Sequence, residues 1–110
     1  MKRLMILVRS GPENTVKLEE SLRLAATMLG FDQSPTIIFL DEGIKCLQTN
    51  AIQDHSLQDY LQAISDLAQL FMLQSTKHLK PDLNKKLEID SIELDELMVI
   101  IKNYSTVVSF

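Results

Sequence analysis

Short apolar runs alternate with stretches of helical period along this chain, and that alternation constrains its fold more than any other feature. Residues 3–9, RLMILVR, form a mostly apolar run of strand length, as expected of a strand covered on both sides. From Asn14 or Thr15 the period changes. Leu18, Leu22, Ala25 and Leu29 recur at i, i+4, i+7 and i+11, while Lys17, Glu19, Glu20 and Arg23 turn outward. This predicts an amphipathic helix, with Gly30 as the residue just past its end.

Residues 36–40, TIIFL, are β-branched and aromatic, and read as a second buried strand. Gly43 to Leu47 suits one or two helical turns. Ser56 is then expected to cap a long helix, with Asp59 completing a weak capping box. Leu57, Leu61, Ile64 and Ala68 form its apolar stripe, widened by Tyr60 and Leu67. A third strand follows at 70–73, a polar loop with some helix at 76–86, and a fourth strand near 89–93. Asp95 is expected to cap a last helix carrying Leu97, Met98, Ile100, Ile101 and Tyr104, and 106–109 read as the closing strand.

Strands and helices in this order predict one α/β domain over residues 1–110, with a five-stranded, mostly parallel sheet. Right-handed crossovers place helices on both of its faces.

Composition narrows the function classes. With 45% apolar and 24% charged residues the chain is expected to be globular. A net charge of -4 argues against a nucleic-acid surface. The basic cluster Lys77, Lys80, Lys85 and Lys86 reads as a solvated face. One cysteine forms no intrachain disulfide, no secretory signal is recognisable, and no apolar stretch approaches the roughly 18 residues of a membrane span. The expectation is a soluble cytoplasmic protein that binds neither membrane nor nucleic acid directly.

The loop after the first strand has only Gly11, where a dinucleotide fold needs G-x-G-x-x-G for close approach to a pyrophosphate. The Walker sequence is absent too. "RSGPENT" places Pro and Glu where a flavodoxin-type phosphate loop would be rich in Ser and Thr, and "LVRSG" and "FMLQS" lack the carboxylates of a receiver domain.

The order of elements, the helix "KLEESLRLA", the segment "LDEGIKCL" and the ending "IELDELMVIIKNYSTVVSF" together resemble the DsrE/DsrF/DsrH sulfur-relay family, whose bacterial Tus counterparts pass sulfur toward tRNA thiolation. "LDEGIKCL" is similar to the family's D-G-[VI]-x-x-L, with Glu42 inserted between Asp41 and Gly43. The ending looks most like the DsrF/TusC branch. The resemblance implies a three-layer α/β/α fold and an oligomer, either of this chain or with other family subunits. In the DsrE/TusD type a cysteine at the end of the third strand carries sulfur as a persulfide. The corresponding window, Met72-Leu73-Gln74-Ser75-Thr76, holds no cysteine.

Cys46 is therefore the only candidate for sulfur chemistry. It would need an exposed thiolate, which Lys45 would favour and Asp41 and Glu42 would oppose; the alternative is a packed small residue. Asp41, at a strand's carboxyl end, lies where open sheets bind ligands, but reads as a turn residue bonding its own backbone. His55 reads as a loop residue, Met72 and Met98 as core. His55, His78 and Cys46 lack metal-ligand spacing, and no acid/base or nucleophile set can be assembled, so neither metal, cofactor nor enzymatic activity is expected.

Candidate interface residues are Lys77 and His78 after the third strand, Val99 and Ile101 in an apolar run too wide for one helix face, and Phe110. The leading reading is a non-catalytic or scaffold subunit of a sulfur relay. A carrier using Cys46 and a small module binding an unrelated ligand stand as alternatives.

Overall fold

The computed structural model describes residues 3–74 and 83–110. In chain order the elements are β1 (Leu4–Val8), α1 (Thr15–Gly30), β2 (Thr36–Phe39), a 3-10 segment (Asp41–Leu47) and α2 (His55–Leu67). There follow β3 (Gln69–Leu73), β4 (Ile89–Ile92), α3 (Leu94–Ile100), a short 3-10 turn (Ile101–Asn103) and β5 (Thr106–Ser109). The five strands form one sheet, ordered β4-β3-β2-β1-β5, and every pairing is parallel.

The period of two within each strand divides the core into two layers. Ile6 and Val8 of β1, Ile37 and Phe39 of β2, and Leu70 and Met72 of β3 face Leu18, Leu22 and Ala25 of α1 and Leu57, Leu61 and Ile64 of α2. Met5, Ile38 and Ile92 point the other way, with Leu97 of α3 and the partly buried Leu7, Phe71, Ile100, Ile101 and Tyr104. The strand order explains the split. The chain steps β1, β2, β3, β4 in one direction, then returns across the sheet to β5. Crossovers of one hand put the helix of a returning step on the opposite face.

Among the described residues the second layer is thin, covered by the seven residues of α3 and a 3-10 turn. Tyr104 ties its end to the sheet: its hydroxyl shares a hydrogen bond with Thr36, and the Arg3 guanidinium lies 4.7 Å from its ring centre.

Several details depart from the sequence expectation. α1 runs through Gly30, and the residue with a positive φ at its end is Asp32, at 58°. An aspartate tolerates that region through local hydrogen bonding of its short side chain. α2 is capped by Asp54 rather than Ser56: its carboxylate accepts from the Leu57 amide at 3.1 Å. His55 consequently begins the helix instead of preceding it. α3 begins one residue after Glu93, so Asp95 lies in its first turn, where a carboxylate favours the helix dipole without capping it. Met98 is 56% exposed, and Leu67 is exposed as well, so neither belongs to the core. Met72 is buried.

Replacing Asp54 with alanine should lower stability by about 1 kcal/mol in urea unfolding, whereas Ser56→Ala should change it by less than about 0.5 kcal/mol. The polar stretch 76–86 falls largely outside the described residues. Among those described, no helix is long and apolar enough to cross a membrane.

Candidate functional site

The carboxyl ends of β1 and β2 bring together the loop 9–14 and the 3-10 segment. Ligands of open parallel sheets bind at this end of the strands. β2 leaves the sheet through Leu40, whose amide donates to the Val8 carbonyl at 3.0 Å. Asp41 then turns the chain with a φ of 53°. The turn closes where the Gly43 amide donates to Leu40 O at 2.9 Å.

Gly43 is here because nothing larger fits. A β-carbon on it would lie 1.9 Å from the Val8 carbonyl oxygen, and that oxygen belongs to a strand in the middle of the sheet. The close approach pins the 3-10 segment onto the end of β1 and sets the positions of Ile44, Cys46 and Leu47.

Cys46 points inward. It is 1% exposed and lies in the α1/α2 layer with Val8, Phe39 and Leu47. Its thiol donates to the Ser10 carbonyl at 3.5 Å. Burial pushes the thiol up to about 12, and the negative charge of Glu13 adds to the effect. This corrects the expected cause. Asp41 and Glu42, its neighbours in sequence, are not what holds the proton.

Those two carboxylates are otherwise engaged. Asp41 Oδ2 is 3.2 Å from Arg9 Nε, so Asp41 meets a cation on the β1 loop rather than its own backbone. Glu42 Oε2 lies 2.6 Å from Lys45 Nζ, and chiefly through this contact the lysine's pKa is raised. Both pairs are solvent-exposed and contribute little to stability. The charged groups at this strand end are thus the exposed pairs Arg9–Asp41 and Glu42–Lys45 together with Glu13, whose charge is felt by Cys46 and Lys45, while the cysteine itself is buried.

Of the remaining candidates within the described residues, Phe110 alone reaches this site, its carbonyl accepting from the Arg9 and Ser10 amides at 2.7 and 3.3 Å. Val99 lies on α3 and is 65% exposed. Ile101, on the 3-10 turn, is half-buried against the second core layer. Phe110 packs against the α1/α2 layer, so its ring is a partial core residue rather than a free surface group. Lys77 and His78 fall outside the described residues. Among the described residues no group of three or more His, Cys, Asp and Glu side chains is placed to hold a metal ion.

Sequence reasoning missed Glu13, the Arg9–Asp41 pair and the contact of Gly43 with Val8. The first two join residues from different strand-end loops, and only the sheet order brings those loops together. The third had a visible signal in the glycine of "DEGIKCL".

An all-parallel five-strand sheet between two helical layers, with a turn locked by glycine at the end of its second strand, defines a three-layer α/β protein. The chain belongs to the DsrE/DsrF-like family, which it matches over residues 2–110. Membership implies involvement in sulfur relay. The fold is similar to the crystal structure of the ychN protein from E. coli, with a TM-score of 0.71, 15% identity and coverage of 100% of both chains. No curated protein matches the sequence.

Proposed function

We propose that this chain is a subunit of a sulfur-relay complex that works through protein contact and does not itself carry sulfur, as in the DsrF/TusC branch. The observation that supports this reading is the state of its single cysteine: 1% exposed, with the thiol held near 12. A persulfide carrier needs an accessible thiolate to attack the donor and an accessible sulfur to pass on. The window ending β3, where the carrier type has its cysteine, has none. Oligomeric complexes are common in this family.

The face presented by α3 suits such a contact. Leu94, Met98 and Val99 are exposed there together, beside half-buried Ile100, above a thin second layer. Large exposed apolar side chains clustered on one short helix are typical of an interface.

The test is co-expression with a family member that carries a cysteine after its third strand, followed by sedimentation and sulfur loading. Sulfur should load on that relative alone, and the two chains should co-sediment. Val99→Asp should weaken the complex at least about tenfold while leaving the far-ultraviolet circular dichroism unchanged, as expected for a core interface position. Persulfide on Cys46, or a 12.5 kDa species with and without the relative, would refute the proposal.

A further inference from the structure

We infer that the free edge of β5 is a self-pairing surface that joins two copies of this chain, antiparallel, into one continuous sheet. The inference goes beyond the relay reading and does not depend on it.

β5 bonds to β1 on one side, and among the described residues nothing pairs with its other side. Which groups face outward follows from its bonds. The Thr106 amide donates to Arg3 O at 3.2 Å, the Phe110 amide to Leu7 O at 2.8 Å, and the Phe110 carbonyl accepts from the Arg9 amide at 2.7 Å. Residues of a strand direct their backbone groups to alternate sides. Thr106, Val108 and Phe110 therefore bond inward to β1, and the amides and carbonyls of Val107 and Ser109 face out.

This edge is complementary to itself about a two-fold axis through Val108. Antiparallel pairing there sets Val107 opposite Ser109 of the second copy, and Ser109 opposite its Val107. Both are positions where two residues exchange both backbone bonds, so all four outward groups on each strand are satisfied. The side chains agree with that register. Val108 meets its own counterpart at the axis, giving a β-branched cross-strand pair.

The opposite edge shows what protection looks like. β4 carries the exposed Asp90 and is flanked by the exposed Glu88 and Glu93, so two such edges would repel. Residues 105–110, STVVSF, hold no charged side chain, no proline and no glycine. Val107 is 40% exposed on this strand. An uncharged edge rich in β-branched residues is one that natural sheets ordinarily guard, and the charge contrast between the two edges singles out β5 as the one that can meet a copy of itself.

The experiment is sedimentation of the intact chain from micromolar to submillimolar concentration, with hydrogen exchange read at single amides. The mass should rise from 12.5 kDa toward twice that value, and the Val107 and Ser109 amides should gain protection with concentration while other exposed amides do not. Val107→Pro removes an outward donor without touching the bonds to β1 and should abolish the rise. Should that variant unfold, Val108→Lys and Val108→Glu serve in its place. Each alone opposes like charges across the axis and should be monomeric, and an equimolar mixture should regain the doubled mass. A monomer at every concentration, an unaffected Val107→Pro, or charge variants that fail to recombine would overturn the inference. Association lost in Val99→Asp but retained in Val107→Pro would assign self-association to α3 instead. Protection of Val107 and Ser109 only when a different protein is added, at an unchanged mass, would identify a foreign strand as the occupant and likewise overturn it.

Discussion

At neutral pH iodoacetamide should label Cys46 at least about 10^3-fold more slowly in the folded protein than in the denatured chain. The ordinary thiol value of 9.0 rises to about 12 on folding, so the reactive thiolate is about 10^3-fold scarcer before steric exclusion is counted. The reagent must also reach a side chain that is only 1% exposed within the α1/α2 core layer. Labelling therefore requires the 3-10 segment to lift from β1, and its rate should rise with urea well below the unfolding midpoint if that lifting is local.

The same displacement of the thiol makes stability depend on alkaline pH. Below about 9 the thiol is neutral in both states, and its contribution is fully present. Between 9 and about 12 the unfolded thiol loses its proton while the folded one keeps it, so stability falls as pH rises through this window. Cys46→Ala should flatten that part of the profile and cost on the order of 1 kcal/mol at neutral pH for the lost side-chain atoms. Labelling of the native protein as fast as that of the denatured chain would show the thiol to be open, and the non-carrier reading would fall with it.

Gly43→Ala should be the most damaging single-methyl change at the strand ends. The added carbon would sit 1.9 Å from the Val8 carbonyl oxygen and 2.7 Å from its carbon, and neither can move without disturbing the bond that Leu40 makes to the same oxygen. We expect a loss of more than about 3 kcal/mol, or more than about 12 °C in Tm, measured by thermal unfolding. Gly30→Ala is the control. A β-carbon there meets no atom within 4 Å, and alanine is the better helix former, so stability should hold or rise by up to about 1 kcal/mol. Equal losses at the two glycines would mean that the close packing on Val8 does not hold the segment in solution.

Strands and helices were legible wherever one period ran unbroken. Leu18, Leu22 and Ala25 on α1, and Leu57, Leu61 and Ile64 on α2, announce buried faces through spacing alone, since each residue's face follows from its position along a regular helix. The ends were less legible. Asp54, Ser56 and Asp59 all suit a cap by residue type, and the choice fell to whichever residue adopted the extended φ and ψ while its carboxylate reached the third amide onward. Met98 shows a different limit. It lies in an unbroken apolar run, LMVII, in which residue type cannot say which face meets the sheet; Leu97 does, while Met98 and Val99 do not.

Hydrophobic period was enough to read a parallel α/β domain, and the glycine of "DEGIKCL" was enough to mark the turn after its second strand. Neither could say that β5 returns to lie beside β1, or that Glu13 and Cys46 would share one strand end. Period is a local property, set by backbone geometry over a few residues. Strand order and the field around a thiol are sums over contacts distant in sequence, and they exist only once the strands have paired.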